Sequence, residues 1–169
     1  MRKYLSKFKA SEVSPKPVPI KFSVTSAIGA YIAIASIALL TQRLNTPFMM
    51  APFGATCVLA FGIPDSPLAQ PRNIIGGHLI STLVGLTCSH WLGNHWYTLA
   101  FGVGLAVAMM QVTKTTHPPA GADPLVIMIG ACHWNFIIEP VLAGSLIITV
   151  IALLFNNISQ YRKYPKYWW

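Results

Sequence analysis

Lys114-Thr115-Thr116-His117-Pro118-Pro119-Ala120-Gly121-Ala122-Asp123 sets a cation, a histidine, two prolines and an acid in the middle of a chain that otherwise reads as hydrocarbon. Ionisable groups and broken backbone at membrane depth need internal partners or a lined cavity, so helices must be arranged around this decapeptide. Pro118 and Pro119 suit the first turn of a helix and push His117 into extended backbone. A helix starting near Pro118 would turn free N–H groups and the positive end of its dipole toward an anion.

The rest of the 169 residues fits a membrane setting, with 54% apolar and only 9% charged, where a soluble domain carries about a quarter charged. The composition reads as an all-α integral membrane protein without a separate soluble domain. The net charge of +8 is terminal: Arg2, Lys3, Lys7, Lys9, Lys16 and Lys21 precede the first apolar block, and Arg162, Lys163 and Lys166 follow the last. That pattern argues for a polybasic tail on anionic headgroups rather than nucleic-acid binding, and puts both termini in the cytoplasm. Three parts follow: a basic tail (1–21), a transmembrane domain (22–158) and a basic-aromatic C-terminal tail (159–169) read as an interfacial anchor. No convincing cleavage site follows the first apolar block, so Phe22 onward is read as a retained span. Cys57, Cys88 and Cys132 are isolated and read as small packing residues.

Six apolar segments can be drawn: Phe22 to Leu40, Pro47 to Ile63, Asn73 to Leu92, Trp96 to Thr113, His117 to Ala131 and Phe136 to Asn156. The second and fifth are short against the ~20 residues a spanning helix needs, so they cross as broken elements or enter and turn back. Pro52-Phe53-Gly54-Ala55 and Pro119-Ala120-Gly121-Ala122 share Pro-x-Gly-Ala, each at the start of a short segment between two long ones. The expected architecture is a duplicated triplet of long, short, long. Six crossings leave Arg43 as the one basic residue outside and make the halves inverted; four spans with two re-entrant helices put Arg43, Arg72 and Lys114 outside.

Short Gly/Pro-broken segments in corresponding positions of two halves point to a transporter's site. The candidates are Thr115, Thr116, His117, Pro118, Pro119, Gly121 and Ala122 from one half, and Pro52, Gly54, Ala55 and Thr56 from the other. Lys114 either neutralises an anion, pairs with Asp123 or snorkels to the membrane edge. Asp123 is read first as a residue at a helix N-terminus and second as a proton carrier. His117 either exchanges protons, contacts the anion or locks the Pro-Pro turn. His78 lines the same cavity or bonds a neighbouring helix. Arg72 and Asn73 form a gate at the start of the third segment, unless Asp65 holds Arg72 as an ion pair. His90, His95 and His133 with Cys132 lack metal-ligand spacing, and no metal or cofactor is expected.

Thr116-His117-Pro118-Pro119-Ala120-Gly121-Ala122, with Pro52-Phe53-Gly54-Ala55-Thr56 and Ser66-Pro67-Leu68-Ala69-Gln70-Pro71-Arg72-Asn73-Ile74-Ile75-Gly76-Gly77-His78, resembles the HPP family of integral membrane proteins. The resemblance implies four spanning helices, unlike the six segments drawn above. Asp123-Pro124 after the motif is similar to the cyanobacterial and chloroplast branch, which implies nitrite transport in a bacterial inner membrane.

The expected function is a transporter or channel for a small inorganic anion, nitrite first, held between two helix N-termini near the midplane. Alternatives are a pathway for a neutral solute such as nitrous acid, urea or ammonia, or a non-transporting membrane subunit or sensor. No Gly-x-Ser-x-Gly, His-Glu-x-x-His or paired-carboxylate pattern supports an enzyme. The expected partners are the anion, the lipid bilayer and a second copy in a homodimer.

Overall fold

The computed structural model describes the backbone of residues 1–169 and the side chains of residues 1 and 3–169. In chain order the helices are α1 (Arg2–Leu5), α2 (Ile20–Leu44), α3 (Ala51–Cys57), α4 (Pro71–Leu92), α5 (Trp96–Val112), α6 (Asp123–Ile129) and α7 (Ala143–Asn156). A wide-turn piece, Val58–Gly62, prolongs α3; a 3-10 turn, Pro118–Ala122, precedes α6. The fold is all-helical, with no strand among the described residues.

By length and hydropathy, α2 and the 23-residue run Trp134–Asn156 qualify to cross a membrane. The 22-residue α4 is as long but less apolar, because its buried face is built from Gly77, His78, Ser81, Thr82 and Gly85 at helical spacing. Lipid is as apolar as leucine, so a membrane helix gains nothing by turning leucines inward. Small residues inward let backbones approach, and inward hydroxyls find partners. α4 accordingly sits at the centre, packed against α5, α6 and α7. A Cβ on Gly77 would stand 2.8 Å from the Thr115 carbonyl oxygen, and one on Gly85 would stand 2.8 Å from Pro124 Cα. The apolar part of the interior lies between α2, α3 and α7, where Ala33, Ile37, Phe53, Phe61, Ile148 and Ala152 are buried together.

Several expected boundaries change. The first segment runs Ile20–Leu44 and the third starts at Pro71. The fifth, His117 to Ala131, is no single helix: its prolines set a 3-10 turn, and seven-residue α6 begins only at Asp123, with Pro124 in its first turn. The sixth begins at Trp134 and breaks at Glu139, which is extended (φ −129°, ψ 111°) ahead of Pro140.

Hydrogen bonds sort the element ends into two sets. Arg162 donates to the Phe61 carbonyl at 3.2 Å, the Phe22 carbonyl at 3.4 Å and the Ser26 hydroxyl at 3.1 Å. These bonds gather the start of α2, the end of the α3 continuation and the chain beyond α7. Arg72 donates to the Thr113 carbonyl at 3.0 Å and Asn73 to the Thr116 carbonyl at 2.9 Å, adding the start of α4 and the end of α5. At the opposite pole, a small cavity lined by Leu86, His90, Ala131 and His133 joins the end of α4 to the chain after α6.

The C-terminal tail, expected to be an interfacial anchor, is bonded to the rest of the fold. It folds back as a strap: buried Tyr164 donates its hydroxyl to the Ala69 carbonyl at 2.7 Å, and Tyr167 donates to the Pro67 carbonyl at 2.7 Å. Lys166 donates its backbone N–H to Gln70 Oε1 at 2.7 Å and pairs through Nζ with Asp65 at 2.8 Å. Burial lifts the Tyr164 phenol above its ordinary value, so it stays a donor. The considered Asp65–Arg72 pair is thus replaced. The strap brings Lys166 to Asp65, while Arg72 turns from the first turn of α4 toward Thr113 and lies 5.7 Å from the Trp169 ring centre. Arg162→Met would remove the guanidinium bonds and the contact 4.1 Å over the Phe22 ring. A loss of about 2 kcal/mol is expected, read as a lower thermal midpoint of the purified protein in detergent.

Candidate functional site

The two short segments meet. The starts of α3 and of the Pro118–Ala122 turn converge on one cavity of about 880 Å³, whose wall includes Pro52, Ala55, Val58, Pro118, Pro119 and Ala122. Val58 and Ile129 at its edge are exposed, so it is a groove open on one side. No charged side chain lines it among the described residues. Gly54 and Gly121 each have open space where a Cβ would be, so neither glycine is required there for a close backbone approach.

Free N–H donors at these starts are scarcer than expected. Pro52, Pro118 and Pro119 have none to give, the Phe53 N–H is taken by the Met50 carbonyl at 3.1 Å, and that of Ala120 by the His117 carbonyl at 3.0 Å. The same prolines that break the helix remove the donors a bare anion would need.

Behind the groove wall lies a continuous polar chain whose four side chains, those of Asp123, His78, Thr56 and His117, are fully buried. Asp123 Oδ2 is 2.8 Å from His78 Nδ1; His78 Nε2 is 2.8 Å from the Thr56 hydroxyl; that hydroxyl is 3.0 Å from His117 Nε2; and His117 Nδ1 is 2.8 Å from the Leu68 carbonyl oxygen. Local sequence positions each member. The helix-breaking prolines hold His117 extended, at φ −138° and ψ 101°. Helical spacing turns Thr56 inward one turn after Pro52, whose carbonyl also faces its hydroxyl at 3.1 Å. Gly77 lets α4 approach closely enough for His78 to enter the gap, with the His78 and His117 ring centres 5.1 Å apart. Asp123 Oδ1 is buried without a hydrogen-bond partner.

The chain joins Thr56, His78, His117 and Asp123 from the expected set and leaves others outside it. Lys114 is exposed with φ 58° and does not pair with Asp123, whose partner is His78. Left-handed backbone at Lys114 carries its side chain out of the turn while Asp123 is turned inward. Thr115 bonds Thr113 at 2.8 Å, and Thr116 supplies its carbonyl to Asn73. Arg72 and Asn73 tie helix ends rather than face the groove. Sequence reasoning missed Ser81, which donates to the Ala120 carbonyl at 2.6 Å, and Thr82, 3.5 Å from Asp123 Oδ2. Their signal was there: hydroxyls one turn beyond His78 in an apolar helix. His90 and His133 line the small cavity at the far pole with Cys132, while His95 caps α5, its N–H donating to the Thr98 hydroxyl at 2.9 Å.

Two transmembrane proteins of Dictyostelium discoideum are similar to this chain. One is 37% identical over 98% of the chain and 57% of its own length; the other is 40% identical over 72% of the chain and 45% of its own. The chain thus spans about half the length of these curated relatives. No solved structure matches it. The family described as HPP, transmembrane region, matches residues 15–165, which include both Pro-x-Gly-Ala copies, the groove between them and the buried chain behind it, and the protein therefore belongs to the HPP transmembrane family.

Proposed function

We propose that this chain transports a small inorganic anion, nitrite first, across a membrane through the groove between the two short segments. One observation carries the reading: residues of both Pro-x-Gly-Ala copies, which start at Pro52 and Pro119, wall the same cavity. Paired broken segments meeting at one cavity are the arrangement that transport folds place at their solute site. Nitrite and a bacterial inner membrane come from the motif resemblance.

Six crossings fit the contacts better than four. The α3 segment starts after the far end of α2 and finishes beside α2's second turn, where Ser26 donates to the Phe61 carbonyl at 2.7 Å. The 113–131 segment starts at Asn73 and finishes at the α4 end near His90. These contacts support a topology in which each short segment passes from one pole to the other and the two triplets run in opposite directions. The strap pole holds Lys21, Arg72, Lys114 and Arg162, which favours the cytoplasm for it and both termini. A second copy, in a homodimer, is the proposed cover of the open groove.

Proteoliposomes holding the protein should take up labelled nitrite well above empty vesicles. Ala55→Leu and Ala122→Leu, which narrow the groove, should each lower that uptake about tenfold, a barrier change of about 1.4 kcal/mol. Folded protein with uptake equal to empty vesicles would sink the reading in favour of a non-transporting subunit.

A further inference from the structure

We propose that Asp123, His78, Thr56 and His117 form a proton-loading chain that rests with one proton and takes a second as the anion enters, so that anion and proton cross together. This rests on the transport reading above and names its coupling ion.

His117 Nδ1 faces the Leu68 carbonyl, which only accepts, so this nitrogen carries a hydrogen and Nε2 of the neutral ring is bare. With Asp123 ionised and His78 neutral, His78 Nδ1 must donate to the carboxylate, leaving its Nε2 bare as well. Two bare nitrogens would then face the single hydrogen of the Thr56 hydroxyl, and a net negative charge would be buried. One added proton closes both deficits. Shared between Asp123 and His78, it lets His78 Nε2–H donate to Thr56, and Thr56 donate to His117. Unpartnered Asp123 Oδ1 makes a full carboxylate charge the poorer location for the deficit.

A second proton also fits. Placed on His117 Nε2, it makes both rings donate to the Thr56 oxygen, and the Thr56 hydrogen turns to the Pro52 carbonyl 3.1 Å away. The chain then carries one positive charge, which an anion in the groove balances. Proton chain and groove wall are opposite faces of the same short segments. Pro52 and Ala55 line the groove while Thr56 turns inward, and Pro118 and Ala122 line it while His117 and Asp123 turn inward. On release, His117 Nε2 gives up its proton, Thr56 turns back to His117, and the anion and proton leave as a neutral pair.

The titratable groups facing one another are His78 from α4, Asp123 from α6 and His117 ahead of the 3-10 turn. Cys57 on α3 and Cys88 on α4 are also buried, and neither shares a hydrogen bond with the chain. α5 brings Tyr97, exposed at its start, and α7 has no ionisable side chain.

Nitrogen-15 NMR of the full chain in bilayers near neutral pH reads the resting state without any solute. His117 should carry a hydrogen on Nδ1 alone, with one proton shared by His78 and Asp123. Two neutral histidines beside an ionised Asp123 would overturn the proposal. In proteoliposomes with an internal pH dye, one proton should enter with each nitrite and no net charge should move. Thr56→Val should drive that ratio toward zero, and Thr56→Ser should restore it. Nitrite entry with charge movement and no proton overturns the coupling alone; no nitrite entry overturns the transport reading with it, and the NMR result still decides the resting proton count.

Discussion

Gly77→Val is expected to destabilise the protein by about 4 kcal/mol and to abolish nitrite uptake, the sum of an overpacking cost and of bonds lost around His117. The added Cβ would stand 2.7 Å from His117 Cβ and 2.8 Å from the Thr115 carbonyl oxygen. Backbone at Thr115 is held on both sides, by its N–H to the Met110 carbonyl at 2.8 Å and by the Asn73 bond to Thr116. Relief must therefore come from moving His117 away from α4. That movement parts His117 from Leu68 and Thr56 and leaves buried ring nitrogens unsatisfied. Gly104 on α5 is the control, with nothing within 4 Å of where a methyl would stand; Gly104→Ala should leave uptake unchanged and the thermal midpoint level or raised. Thermal unfolding in detergent, with nitrite uptake as the second readout, separates the two variants.

Tyr164→Ala is expected to cost about 4 kcal/mol, in the range for deleting a buried aromatic ring. The ring is packed into the cluster that contains Phe53, Phe61 and Ile148, and its hydroxyl partners the Ala69 carbonyl next to Leu68. Tyr164→Phe keeps the ring and strands the carbonyl, for a smaller loss of about 1–2 kcal/mol. The Leu68 carbonyl is the acceptor that orders His117, so the alanine variant should also broaden the His117 ring signals while the phenylalanine variant leaves them sharp. Equal midpoints for the two variants would show that the hydroxyl, not the ring, holds the strap.

Hydropathy made the order of long and short segments legible, and the two Pro-x-Gly-Ala copies pointed to the cavity where those segments meet. The pairings were hidden. His78 and Asp123 are 45 positions apart, and Thr56 and His117 are 61 apart, so nothing local marks them as partners. Lys114 beside the motif was the nearer cation for Asp123 in the sequence, yet its left-handed backbone points it outward. The expected donor-rich helix start is poorer in donors for a chemical reason: proline marks such a start and has no N–H to offer there. By composition the strap resembles an interfacial anchor, because tyrosine, tryptophan and lysine suit a membrane surface. Tyr164 and Lys166 instead meet partners around Asp65 and Ala69, near the start of α4.

Arg162 and Tyr164 also impose an order of assembly. The Ala69 carbonyl lies just ahead of α4 and Phe61 near the end of the α3 continuation, while Tyr164 and Arg162, which bond or pack there, follow α7. During synthesis the early helices must wait in the bilayer, incomplete at one pole, until the stretch after α7 has been made. A lesion in the stretch after α7 would thus leave a fully inserted but unlatched bundle, which cellular quality control would meet as an assembly defect rather than a failure of insertion.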